Sequence, residues 1–201
     1  LTDCTFTSNS AEYGGGMYNS SDFPTLTDCT FTSNSASSGG GMVNVSVSNP
    51  TLTNCTFTNN SADTGGGMVN SYECFPTLTN CTFTNNSAGV FGGGMWNGDF
   101  SFPTLTDCTF ANNSADEDGG GMYNDRYSEP DLGGCTFTSN SAGENGGGMC
   151  NVGNSSPVLA GCTFTGNSAV EDGGGMYNDK SSSAILDGGC GLCGNSPNQI
   201  V

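Results

Sequence analysis

The 201-residue sequence predicts an all-β fold, a right-handed parallel β-helix (solenoid) of about seven and a half coils, with 25–27 residues and three short strands per coil. Three observations predict it: one unit recurs along the chain, apolar residues keep fixed columns within it, and length changes sit in only two places. The unit reads Leu-Thr-Asp/Asn-Cys-Thr-Phe-Thr-x-Asn-Ser-Ala, a variable stretch, then Gly-Gly-Gly-Met-x-Asn and a polar run into Pro-Thr. Copies open at Leu1, Leu26, Leu52, Leu78, Leu105, Leu132 and Leu159, with a partial coil from about residue 186, so residues 1–201 are expected to form a single β-helix domain.

Each element of the unit has a physical reason. Cys-Thr-Phe-Thr alternates, placing Cys4 and Phe6 on one side and Thr5 and Thr7 on the other, and β-branched Thr suits a strand. No copy offers ten residues free of Gly, Pro or Ser/Asn clusters, which excludes a helix. The residue before each Cys is Asp3, Asp28, Asn54, Asn80, Asp107, Gly134 or Gly161, types that tolerate a left-handed backbone, so this column marks a tight corner. Asn9, Asn34, Asn60, Asn86, Asn113, Asn140 and Asn167 are never exchanged for Gly, which predicts amides stacked and hydrogen-bonded coil to coil. Insertions fall between Ala and the triple glycine and between Met-x-Asn and Pro, as in loops.

The Leu, Cys, Phe, Ala and Met columns supply the expected core, and all seven methionines occupy one column, Met17 to Met176. Burying a Leu, Phe or Met gains roughly 1.5–3 kcal/mol while ordering one residue's backbone costs roughly 1–2, so a lone coil would not fold and stability must come from stacking. At about 4.8 Å per coil the rod would be roughly 35 Å long.

Two basic residues, Arg126 and Lys180, face nineteen carboxylates, a net charge of −17 that argues against nucleic acid or anionic membranes as partners. The sequence contains no transmembrane run, so direct membrane insertion is not expected, and no signal peptide. It opens inside a repeat, which reads as a processed or excerpted chain. Eight of eleven cysteines, Cys4, Cys29, Cys55, Cys81, Cys108, Cys135, Cys162 and Cys190, share the core column; Cys74, Cys150 and Cys193 lie outside it. Parallel in-register side chains point alike and suit disulfides poorly, which favours buried thiols over paired rungs. No cofactor is expected, and without His or paired C-x-x-C spacing there is no zinc site.

Phe-x-x-Asn followed by Gly-Gly-Gly-Met resembles the paired repeat motifs of the chlamydial polymorphic outer membrane proteins, and bacterial right-handed β-helix surface proteins more broadly. The resemblance covers all but the last dozen residues and departs in placing Met where Ile is usual. It implies an extracellular or cell-surface (secreted) location and an adhesive or autotransporter-passenger role. The expected function is therefore a non-catalytic structural or adhesive stalk, or a head-to-tail filament subunit in which uncapped ends pair, with truncation of a longer β-helix as the competing account of those ends. Partners would be other copies of the chain, glycans or a host-cell surface. A polysaccharide-active β-helix enzyme ranks below this, because the acids repeat by register instead of gathering once, and Arg126 and Lys180 follow Asn-Asp at like positions two coils apart.

Candidate sites follow from the outward columns. The pairs Thr5/Thr7, Thr30/Thr32, Thr56/Thr58, Thr82/Thr84, Thr136/Thr138 and Thr163/Thr165, broken by Ala111 beside Thr109, form a grid that resembles the ice-binding face of β-solenoid antifreeze proteins; ice binding is the alternative function. Asp116, Asp118, Glu144, Glu171 and Asp172 occupy one corner of three coils, either as a solvated acidic edge, the favoured reading, or as a calcium site. Tyr18, Val43, Val69, Trp96, Tyr123, Cys150 and Tyr177 follow the core Met, and Phe23, Phe75 and Phe102 precede prolines; this stripe is either a contact or glycan-stacking surface or packing beneath loops. Among eight Asn-x-Ser/Thr sequences, Asn59, Asn85 and Asn112 are the best glycosylation candidates, since they lie at an exposed corner.

Overall fold

A computed structural model describes residues 1–197, 200 and 201. The chain winds as a right-handed parallel solenoid in which like residues superpose: Phe6 pairs with Phe31, Phe31 with Phe57, and so on through Phe164. Four parallel sheets run along it, one more than expected. The Phe sheet has eight strands, from Thr5–Thr7 to Gly191–Cys193; the Leu sheet has seven, from Thr25–Thr27 to Ile185–Asp187; the Met sheet has seven, from Met17–Ser20 to Met176–Asn178. The fourth, from Ser61–Thr64 to Ser168–Ala169, arises because in-register stacking pairs even the extended Ser-Ala step. Single bridges Ser10 to Ser35 and Ser35 to Ser61 carry that pairing into the first coils.

Left-handed corners fall where the short polar residues predict them. The residues before Cys, from Asp3 to Gly161, have φ between 51° and 63°, turning the chain from the Leu sheet into the Phe sheet. A second left-handed column, Ser8, Ser33, Asn59, Asn85, Asn112, Ser139 and Gly166, closes the Phe strand. The triple glycine answers a different need. A Cβ on Gly93 would strike the carbonyl oxygens of Ser114 and Gly120 in the next coil, so only hydrogen fits between the stacked backbones.

Inside, Leu, Cys, Phe and Met form four fully buried files from Leu26 to Met176. Successive Phe rings stack with centroids 4.6–4.7 Å apart and planes within 5°. The Ala column joins this interior only in the middle coils, where Ala88, Ala115 and Ala142 are buried; Ala11 is exposed. The predicted asparagine ladder runs through all seven named residues and on to Asn195. From Asn34 to Asn167 each rung repeats the bonds of Asn60, whose amide donates to the Phe31 carbonyl and to Asn86 Oδ1, while Asn86 Oδ1 also accepts the Asn60 backbone N–H, at 2.9–3.0 Å. Among the described residues, no buried side-chain nitrogen or oxygen is without a partner.

Two further ladders are hidden in the same pattern. Asn19, Asn44, Asn70, Asn97, Asn124, Asn151 and Asn178 bond amide to carbonyl at 2.8–2.9 Å. Their presence in every Met-x-Asn was the available sign. Ser48, Ser101, Ser128, Ser155 and Ser182 are buried, and each hydroxyl accepts a backbone N–H from the preceding coil; Cys74 takes that place in its own coil.

All eleven cysteines are free thiols. Each core thiol from Cys55 to Cys190 faces the carbonyl of a Leu one coil back, from Leu26 to Leu159, at 3.4–3.8 Å. Burial raises the Cys29 thiol pKa, and hydrogen bonds with Cys108 and Cys55, then burial, raise that of Cys81. Hydrogen bonds from the neighbouring thiols act the other way on Cys55, Cys108 and Cys162 and lower theirs, while the file from Cys29 to Cys162 is wholly buried and packs as small apolar groups.

Candidate functional site

The threonine grid lies on the outer side of the Phe sheet in strict register, with Thr30 Oγ1 donating to Thr5 Oγ1 at 3.1 Å and Thr136 Oγ1 to Thr109 Oγ1 at 3.2 Å. It is less open than an outward column implies. Thr30, Thr32, Thr56, Thr58, Thr82, Thr84 and Thr136 are half-buried, and only Thr5, Thr7, Thr138, Thr163 and Thr165 are exposed. The reason is the stacking itself: Thr32 lies between Thr7 and Thr58, and Thr58 between Thr32 and Thr84, so copies about 4.8 Å away on both sides cover each side chain. Thr138 is exposed where its neighbour on one side is the smaller Ala111.

A second Thr-x-Thr file adjoins the grid on the Leu sheet: Thr25/Thr27, Thr51/Thr53, Thr77/Thr79 and Thr104/Thr106. Its sign was Thr-Leu-Thr, the same alternation as Thr-Phe-Thr. It ends at Asp131/Gly133. Asn59, Asn85 and Asn112 are exposed at the corner beyond the grid, whereas Asn19 and Asn44, which open similar sequences, are buried in a ladder and out of reach of a sugar.

The acidic corner superposes as expected in outline, but Glu117, not Asp116, continues through Glu144 to Glu171 by backbone hydrogen bonds of 2.8 Å. Asp118 Oδ1 accepts the Asn145 N–H and amide at 2.8 and 3.1 Å. The Asp118 charge, then desolvation, Glu171 and Glu117, raise the Glu144 pKa. Among the described residues no three carboxylates or thiols converge as metal ligands do.

The residues after the core Met divide by coil. Val43, Val69, Tyr123 and Cys150 are buried, and Phe91 of the variable stretch stacks over Tyr123 at 4.6 Å, so the stripe is covered there; Tyr18 is half-exposed. Phe23, Phe75 and Phe102 stand exposed beside their prolines. Between the two loops the Met sheet carries a groove of about 570 Å³. Val43, Val69 and Trp96 form its floor, Tyr13 and Phe91 one wall, and Tyr72, Asp99 and Arg126 the other.

The second wall repeats one backbone conformation. Tyr72-Glu73, Asp99-Phe100 and Arg126-Tyr127 each place two successive non-glycine residues at φ 51° to 62°, a conformation costing about 1–3 kcal/mol per residue that the surrounding contacts must offset. Phe100 and Tyr127 stack at 5.2 Å behind this wall. Arg126 reaches one coil back: Nη1 donates to Asp99 Oδ1 at 3.2 Å and Nε lies 3.5 Å from Asp125 Oδ2, while Ser71 Oγ donates to Asp99 Oδ2 at 2.8 Å. The hydrogen bond and charge of Asp99 raise the Arg126 pKa further, so the guanidinium is a permanent cation. Burial raises the Asp125 pKa against the opposing pull of Arg126. A single cation with its paired carboxylates was invisible in one dimension, because Asp99 and Arg126 are 27 residues apart and meet only through the winding.

Residues 1–102 match the family described as right handed beta helix region, and residues 107–124, which contain one Phe-x-x-Asn and one Gly-Gly-Gly-Met, match the Chlamydia polymorphic membrane protein repeat. Comparison with curated proteins finds no match. The first match spans half the chain and falls on coils whose winding is parallel and in register throughout: the chain belongs to the right-handed β-helix family.

Proposed function

We propose that this protein is a non-catalytic, adhesive β-solenoid of a cell surface or of the secreted space, a stiff rod that acts through its sides. The observation carrying this reading is the separation of constancy from variety. Interior files and ladders repeat in every coil, while residues that change from copy to copy gather on the loops flanking the Met sheet. The short match to the Chlamydia polymorphic membrane protein repeat supports a surface setting. The Asp99–Arg126–Asp125 set argues against catalysis, since a permanently protonated guanidinium cannot take a proton and both carboxylates are engaged with it. Beads coated with the protein should attach saturably to a cultured epithelial monolayer or to one another. Attachment no greater than that of albumin-coated beads to either target rejects the reading.

Ice binding is a second reading, favoured by the two adjoining Thr-x-Thr files in register on parallel sheets. Thermal hysteresis with shaped ice crystals is its expected sign; unshaped growth at millimolar protein removes it.

A further inference from the structure

The groove over the Met sheet has the features of a site for a particular chemistry. We propose that it binds a neutral, linear glycan, lodged along the rod axis with sugar rings against Trp96 and Tyr72 and hydroxyls on Arg126 and its carboxylates. This rests on the adhesive reading and supplies its ligand class.

Shape comes first. The groove begins at Tyr13 and Tyr18 in the first coil and ends at Asp125 and Arg126 in the fifth, a run of four coil steps, or roughly 19 Å at ~4.8 Å per step. A pyranose ring is about as long as one coil is high, so a chain of sugars meets a repeating wall in step with itself. The lining is mixed in the way a sugar is mixed. Above the closed floor of Val43 and Val69, the rings of Tyr13, Tyr18, Tyr72 and Trp96 face apolar C–H surfaces, and the tyrosine hydroxyls, Arg126 and Asp99 face hydroxyls.

Trp96 is the only tryptophan of the chain. Two residues later, where other coils carry Ser20, Val45, Ser71, Asp125, Val152 and Asp179, stands Gly98. A Cβ there would lie 2.6 Å from Trp96 Cη2 and 2.7 Å from Cζ2, so the indole rests directly on the Gly98 backbone. Glycine at this one coil lets the largest ring lie down as part of the groove floor.

Charge selects among polymers. A net −17 repels anionic chains such as sulfated polysaccharides. A basic peptide would have to displace Arg126 from Asp99 and Asp125, whereas a neutral hydroxyl can use the guanidinium as it stands: Nη1 and Nε are engaged, yet the side chain is 61% exposed.

The single Trp provides the readout. Neutral tetrasaccharides built from glucose, mannose, galactose or N-acetylglucosamine are titrated against the full chain, with a heparin tetrasaccharide and tetralysine as charged comparisons. At least one neutral chain should shift Trp96 emission saturably, and Arg126→Gln, with an unchanged far-ultraviolet spectrum, should weaken it about tenfold, the scale of one lost charge-assisted contact. Ligand-observed NMR on Trp96→Ala should show the same loss. No response from any neutral chain, or a response only to heparin or tetralysine, overturns the proposal; equal affinity in wild type and Arg126→Gln overturns it too. Bead attachment that persists without glycan binding leaves adhesion standing and removes the glycan, and glycan binding without attachment does the reverse.

Discussion

The outer sides of the Phe sheet and the Met sheet are made by one winding and look unlike. The first shows threonine upon threonine through seven strands, interrupted at Ala111 and ending at Gly191 and Cys193; the second shows Tyr18, Val43, Val69, Trp96, Tyr123, Cys150 and Tyr177, no two neighbours alike except the valines. Both cover equally strict interiors. The stack therefore demands identity only where side chains or backbones touch their own copies, and a side facing a loop-bordered groove is free to differ. Repetition marks what holds the rod together, and its breakdown marks the sides where stacking makes no demand.

Substitutions can break or sharpen that contrast. The largest effect should come from Gly93→Ala, because the new methyl meets backbone oxygens of Ser114 and Gly120 that no rotamer can move; loss of the cooperative thermal transition is expected. Asn86→Ala comes next. It takes the side-chain donor from the Phe57 carbonyl and from Asn113 Oδ1, and the acceptor from two Asn60 donors, each buried group left unpaired costing about 1–3 kcal/mol; urea unfolding should register the sum. Phe83→Ala opens a gap in the ring stack and should cost about 3–5 kcal/mol in the same measurement. On the outer grid, Thr56→Val should change stability by no more than about 0.5 kcal/mol, and a larger loss would mean that the grid is structural after all.

Acidity supplies a smaller, signed effect. Asp125 and Glu144 bind protons more tightly folded than unfolded, through burial and through the nearby Asp118 charge respectively, so each gains stability as pH falls from neutral through its raised pKa. Asp179 is opposite: partial burial is outweighed by hydrogen bonds from Ser181 and the Gly153 N–H, its pKa is lowered, and its contribution is lost as pH falls further. The melting temperature should rise as the pH falls from 7 toward the ordinary carboxylate range, about 4, and fall below it. A monotonic fall would show that the acidic corner is not under strain.

Much of the interior was legible in one dimension. The Phe-x-x-Asn amides, the left-handed corner before Cys and the Leu, Cys, Phe and Met files all follow from columns that hold their residue type from coil to coil. The second amide ladder was equally constant, yet its place beside a half-variable column hid its burial. The fourth sheet was not visible because Ser-Ala is too short to show alternation. Alternation also fixed the side on which Thr32 and Thr58 stand, but not how far their stacked copies cover them. The stripe of Tyr18, Val43, Val69 and Trp96 was legible as a column, but the walls that make it a groove were not, since they come from loops of changing length across five coils.

By itself the sequence determined the winding and everything that winding makes periodic, because a residue stacked on its own copy must satisfy the same contact at every level. Only the tertiary structure decided which outward residues are covered and which converge. Phe91 roofs Tyr123, Trp96 lies on Gly98, and Arg126 turns back to Asp99. Each of these depends on the path of a loop across neighbouring coils, and no spacing along a single copy records that path.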